Sequence, residues 1–294
     1  MKIKVLFIFI FLFLIQNFSF LVWASLPKTE IQKIDHDPFG IWQRKPRDFA
    51  QVIKHGAKVG YMSEEKTFFT YWVPPNYKSG RVLVSVHGTG GNPYIAMRDE
   101  IGYAEKFDYL VVAVSWFSKE KGFFLAKDLY RNILQILNFI RDEFGNDLSA
   151  VAYIGFSRGA AISYEVAYLD AASENIFDIF ISHSGGIPLN LCVEALNPDS
   201  KPDTFFSNLV NGDLGDDVFK NKKFFLYSGD KDESWGLTMS RQLEHAKQLI
   251  EANGGQVLEW VRDPNGGHMG LLRNPAIKEK ALQYFIDLTP RNNA

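Results

Sequence analysis

A serine hydroxyl becomes a useful nucleophile only beside a base, and that base needs an acid to fix its tautomer. Three stretches of this chain offer the parts. Gly155-Phe156-Ser157-Arg158-Gly159 follows the apolar run of residues 151–154 and leads at once into a small-residue helical pattern of Ala160, Ala161, Ile162, Val166 and Ala167. That is strand, sharp turn, helix: such a turn holds Ser157 in a strained conformation with its hydroxyl turned away from the sheet, and bulk two positions to either side would clash. Asp232 lies in Gly229-Asp230-Lys231-Asp232-Glu233, directly after the strand pattern of residues 223–228. His268 lies in the loop Asn265-Gly266-Gly267-His268-Met269-Gly270, after the strand pattern of residues 256–262, and of the 6 histidines it alone has this placement. The order nucleophile, acid, base is that of an elbow-type hydrolase. Asp230 and Glu233 are also within reach of the base; Asp232 is preferred because it leaves the strand room to end and the loop room to fold back.

A fourth stretch, His87-Gly88-Thr89-Gly90-Gly91, follows the buried-strand pattern of residues 81–86. Glycines there let backbone N–H groups turn toward a developing oxyanion, and one such fixed donor is worth about 3 kcal/mol. The expected donors are Thr89, with Gly88 or Gly90 as alternatives, and Arg158, the residue after the nucleophile. His87 reads as a structural hydrogen-bonding residue. The cluster lacks the lysine and the spacing of a phosphate or dinucleotide loop. Trp116, Phe156 and Trp235 follow strand ends or flank the motifs and are candidates for an apolar substrate pocket, with core packing as the competing reading for each.

These parts must be carried to one edge by a scaffold. Strand patterns at residues 52–59, 67–73, 81–86, 110–115, 148–154, 176–182, 223–228 and 256–262 alternate, from the third on, with helical patterns near 94–106, 125–144, 160–169, 237–253 and 276–288. Strict alternation implies an α/β fold: a mostly parallel, twisted sheet of about eight strands with helices on both faces. Residues 25–294 are expected to form one domain, with 25–50 as an N-terminal extension and 187–222, rich in proline and turn residues, as an insertion or short lid. Asp213, Asp216 and Asp217 in that insertion lack the spacing of a calcium loop.

Residues 1–24 combine a basic start, an apolar core and Ala24, which predicts a signal peptide and a secreted or periplasmic protein; an N-terminal membrane anchor is the alternative. Cys192 stands alone and leaves no internal disulfide. The net charge of −2 and the absence of a basic patch exclude a nucleic-acid partner. No metal or organic cofactor is required, and no stable membrane association is expected after signal removal.

Together, the segments at 87–91, 155–159, 229–232 and 266–270 resemble, in order, the oxyanion, nucleophile, acid and base segments of the α/β-hydrolase superfamily, over about residues 52–288. Within it the chain is most similar to secreted esterases related to polyhydroxybutyrate depolymerases and to feruloyl or acetylxylan esterases. The resemblance implies hydrolysis of a carboxylic ester from a small molecule or polymer. A peptidase or acyltransferase using the same triad, and a catalytically silent binding module on the same fold, remain the alternatives, because the residues define acyl transfer and not the acceptor.

Overall fold

Unbroken runs of β-branched and apolar residues, such as RVLVSV and LVVAV, make strands that must be covered on both faces. The computed structural model describes residues 29–118, 122–145, 148–187, 204–233 and 239–288. Its strands are β1 (Ile31–Ile34), β2 (Lys58–Met62), β3 (Thr67–Trp72), β4 (Arg81–Val86), β5 (Leu110–Val114), β6 (Phe117–Ser118), β7 (Gly122–Phe123), β8 (Ala150–Phe156), β9 (Ile179–His183), β10 (Lys223–Gly229) and β11 (Gln256–Asp263). Nine of them form one sheet in the order β1-β2-β3-β5-β4-β8-β9-β10-β11, and β6 and β7 form a separate ribbon. From β5 to β11 the pairing is parallel, whereas β1, β2 and β3 add an antiparallel edge.

The strand order reverses at β4. The chain leaves β4 for β5 on one side and returns to place β8 on the other. The two connections diverge there and leave a crevice at the strand carboxyl ends, where open α/β sheets bind ligands. β4 leads into His87 and β8 into Ser157, so both segments open onto that crevice.

Helices cover both faces. Ala126–Phe144 buries Leu129, Ile133, Ile136, Leu137 and Ile140, an i, i+4, i+7, i+8, i+11 stripe, and ends on Gly145 at φ 63, a left-handed position that glycine occupies at little cost. Its stripe shares an apolar cluster with Val84, Val112 and Tyr153 of the sheet. On the other face, Val52, Tyr94, Met97, Ile101, Leu282 and Phe285 pack on Leu83, Val111 and Phe225. Each such side chain, fully buried, contributes about 1.5–3 kcal/mol.

Two expectations need correction. Residues 52–59 are not a strand: Pro46–Lys54 is a helix with Pro46 at its first turn and Val52 on its buried face, and β2 starts only at Lys58. Proline is well suited to a first helical turn, and the isolated apolar residues of this segment repeat at helical rather than alternating spacing. Residues 25–50 do more than overlie the domain, because their β1 pairs with β2 and gives the sheet a ninth strand. The described part of the 187–222 segment contains the helix Thr204–Asn211, and its Phe205, Phe206 and Leu209 join the core. Asp213, Asp216 and Asp217 are exposed, with Asp217 paired to Lys220 at 3.0 Å. The expected signal peptide, Cys192 and Trp235 lie outside the described residues.

Candidate active site

The turn after β8 is dictated by glycine. A Cβ on Gly155 would come 2.3 Å from the Gly159 carbonyl oxygen, and one on Gly159 would come 2.2 Å from that of Val86, so neither position admits a side chain. Squeezed between them, Ser157 takes φ 53, ψ −116. A non-glycine residue there carries strain of about 1–3 kcal/mol, which its surroundings must offset. Part of that support is the Ser157 N–H, which donates to the His183 carbonyl at 2.8 Å. Another part is Gly185, whose absent side chain lets the Ser157 carbonyl pack where a Cβ would lie 2.3 Å away.

Two further loops are stitched together at the ends of β10 and β11. Lys231 N–H donates to the Gly266 carbonyl at 2.9 Å and Asp230 N–H to that of Asp263 at 2.9 Å, and Gly229 has no room for a Cβ beside Gly266. This brings Asp232 Oδ2 to 2.7 Å from His268 Nδ1. A carboxylate only accepts, so in the neutral imidazole Nδ1 carries the proton and Nε2 is left as the acceptor, the tautomer a general base needs. Asp232 is 3% exposed. Asp230 is engaged elsewhere, accepting from Ser240 Oγ and Arg262 Nε, each at 2.6 Å. The hydrogen bond from Arg262 holds its carboxyl below the usual carboxylate range.

His268 stands beside the elbow. The ring of Phe156, the residue before Ser157, lies 5.0 Å from the His268 imidazole, centroid to centroid. Phe156 also touches the His183 ring at 4.7 Å. Ser157, Asp232 and His268 thus occupy the same carboxyl edge of the sheet, after β8, β10 and β11.

The glycine loop after β4 passes directly against the elbow: a Cβ on Gly88 would sit 2.8 Å from Ser157 Cβ. Gly90 takes φ 74, and Gly91 N–H closes a turn on the Gly88 carbonyl at 3.1 Å, leaving Thr89 exposed at the tip. Arg158 opens the short helix Arg158–Ala161, where first-turn N–H groups have no acceptor within the helix. His87 is buried, with Nδ1 2.9 Å from the Gly88 carbonyl, and burial lowers its pKa to about 4. It is a neutral strut for this loop.

Trp116 is not a pocket residue. It is 1% exposed, its Nε1–H donates to the His87 carbonyl at 2.8 Å, and its ring packs on Phe123 at 4.6 Å, so it braces the loop from inside the core. Phe156 does have free surface. It lines a cavity of about 210 Å³ together with His87, Thr89, Ile95, Ile154 and Met269. On the outer side of the same loop lies a cleft of about 330 Å³, bounded by Thr89, Gly90, Gly91, Arg44, Phe117 and Phe123.

One residue of this neighbourhood was not anticipated. His183 ends β9, is 1% exposed, and holds the elbow through its carbonyl. Desolvation, then the charge of Lys278, keeps its imidazole well below the usual histidine range. Only its position at a strand end could have drawn notice, because no local pattern points to the serine it supports. Among the described residues, no group of three or more His, Cys, Asp or Glu side chains could hold a metal ion.

No protein-family model and no curated protein matches the chain. Solved structures do. An esterase of Pyrococcus furiosus is 18% identical, covering 76% of this chain and 86% of its own, with a TM-score of 0.53. A fungal esterase from Rhizomucor miehei is 15% identical over 92% and 94%, with a TM-score of 0.57. An acetyl xylan esterase from Paenibacillus sp. R4 is 14% identical over 94% of each chain, with a TM-score of 0.56. At these identities the likeness establishes the fold, which is that of the α/β-hydrolases.

Proposed function

We propose that the chain hydrolyses carboxylic esters through an acyl-enzyme intermediate. The observation that carries this reading is the 2.7 Å bond between Asp232 and His268, placed beside a serine held at φ 53 in a glycine-bounded turn. Ser157 Oγ attacks the ester carbonyl while His268 Nε2 takes its proton. The new Oγ–carbon bond forms, the carbonyl oxygen takes the charge, and the backbone N–H groups of Thr89 and Arg158 receive it. As the intermediate collapses, the bond to the alcohol oxygen breaks and His268 returns the proton to that oxygen. Water then repeats the sequence on the acyl-enzyme, releasing the acid and restoring Ser157. Asp232 stays ionised throughout and stabilises the imidazolium.

Within the esterases, the motif resemblance supports kinship with secreted relatives of polyhydroxybutyrate depolymerases and of feruloyl or acetylxylan esterases. Residues 1–24 are read as its export signal, and the substrate as a small or polymer-derived ester. Ser157→Ala is expected to lower kcat on 4-nitrophenyl acetate by about 10⁴-fold or more, in line with removal of a triad nucleophile, while the far-UV circular dichroism is retained. Full activity in a folded Ser157→Ala protein would refute the assignment.

A further inference from the structure

The outer cleft has a composition that hydrolysis itself does not call for. Its described walls carry two cations, Arg44 and Lys45, two aromatic rings, Phe117 and Phe123, and no carboxylate. Phe117 is 46% exposed, unusual for so large an apolar side chain, and meets Phe123 edge to face at 5.0 Å. The Arg158 guanidinium stacks on this wall, 4.3 Å from the Phe123 ring centroid. The cleft floor is Thr89-Gly90-Gly91, the same loop that receives the oxyanion.

The basic rim is built, not incidental. Asp37 is 1% exposed and accepts four hydrogen bonds: from Phe39 N–H at 3.0 Å, Ile41 N–H at 2.9 Å, Trp42 N–H at 2.9 Å and the Tyr94 hydroxyl at 2.9 Å. Those bonds clamp the segment leading into Arg44 and Lys45 onto the helix that follows the oxyanion loop. Arg44 Nη1 donates back to the Phe39 carbonyl at 3.3 Å. The nearby acids Asp48 and Asp99 are both paired to Arg98. What faces the cleft is therefore positive charge over aromatic surface. Such a surface stacks a planar ring and attracts an anionic group on it, and a cationic cleft also raises the local concentration of an anionic substrate.

We infer that this cleft is a specificity subsite for esters in which one half is an aromatic ring bearing a negative charge, such as a carboxylate. The inference rests on the ester-hydrolase reading and adds the substrate class to it.

Two matched substrate pairs test it and show which half of the ester the cleft takes. In the first the charge is on the alcohol half: 4-acetoxybenzoate against its methyl ester. In the second it is on the acyl half: the mono-4-nitrophenyl ester of terephthalic acid against the corresponding methyl 4-nitrophenyl diester. Each kcat/KM is divided by the rate of hydroxide-catalysed hydrolysis of the same acyl–oxygen bond. At low ionic strength one charged member is expected to be favoured about tenfold over its neutral partner, a modest preference because both cations are exposed to solvent. That preference should shrink toward one in 0.5 M sodium chloride, where charges are screened within about 4 Å. It should invert in Arg44→Glu/Lys45→Glu and vanish in Arg44→Gln/Lys45→Gln, the second variant guarding against misfolding of the first. Equal rates within both pairs, or a preference that survives the charge reversal, would overturn the subsite while leaving the hydrolase reading intact. Failure to hydrolyse any of the four esters would overturn the hydrolase reading itself.

Discussion

Ser157 sits at φ 53 in a turn whose glycines have no room for a side chain: Gly155 packs on the Gly159 carbonyl, Gly159 on that of Val86, and Gly185 on that of Ser157. The same steric logic made it legible in the sequence, since a serine between two obligatory glycines at a strand-to-helix junction is suited to little besides presenting its hydroxyl. Asp232 was less legible, with Asp230 two residues away and chemically identical. What separates them is partners far along the chain: His268 for one, Arg262 and Ser240 for the other. Two substitutions read that difference. Asp232→Asn is expected to lower kcat by about 10³–10⁴-fold, because the amide no longer selects the Nδ1–H tautomer of His268. Asp230→Asn should change kcat less than about threefold, since it loosens only a rim contact. Steady-state kinetics of the two proteins checks both, and equal effects would mean that the acid has been misassigned. Trp116 misleads for a related reason: an indole after a strand end looks like a pocket wall until its N–H is seen bonded inward to His87.

At the level of elements, the alternation of parallel strands and covering helices was legible because strands such as β4 and β5 are apolar throughout and the helix Ala126–Phe144 carries a clear stripe. The antiparallel edge was not. β1 is four residues of mixed polarity, and only its pairing with β2 makes it a strand. Residues 52–59 combine the end of one helix with the start of one strand, and a short window cannot separate two periods that meet inside it. A second invisible feature links two helices on one face of the sheet. Glu100, on the helix after the glycine loop of residues 87–91, is ion-paired with Lys278, on the helix Pro275–Asp287, with both side chains buried. Their separation of 178 positions hides the pair from any local pattern. Lys278→Met should leave an uncompensated carboxylate in the core and cost about 3–5 kcal/mol by urea denaturation. The double variant Glu100→Leu/Lys278→Met should recover most of that loss, whereas an unchanged midpoint in the single variant would show that the pair carries no such strain.

For the molecule as a whole, the sheet order places the ends of β4 and β8 side by side and sends later strands outward on one flank, so the loops after β8, β10 and β11 converge on one edge. The buried histidines of that edge couple it to acidity. His87 has its pKa lowered from 6.5 to about 4 by burial, so the unfolded chain binds a proton that the folded one does not as the pH falls through that window. Native stability attributable to a neutral His87 is therefore present above about pH 6.5 and declines toward pH 4. At pH 5 the loss is on the order of 2 kcal/mol, at about 1.4 kcal/mol per pH unit below the unfolded pKa. The stability advantage of the natural chain over His87→Gln, measured by urea unfolding, should shrink by roughly that amount between pH 7 and pH 5. A difference that stays constant would mean that His87 titrates normally.

The convergence itself is tested most directly by a fluorophosphonate probe and peptide mass spectrometry. An activated serine forms a covalent phosphonyl adduct with loss of fluoride, and an unactivated one does not. The result expected is one adduct per chain, on the peptide containing Ser157, with labelling greatly slowed in His268→Ala. No adduct on the folded protein, an adduct on a different serine, or equal labelling without His268 would contradict a catalytic assembly of Ser157, His268 and Asp232.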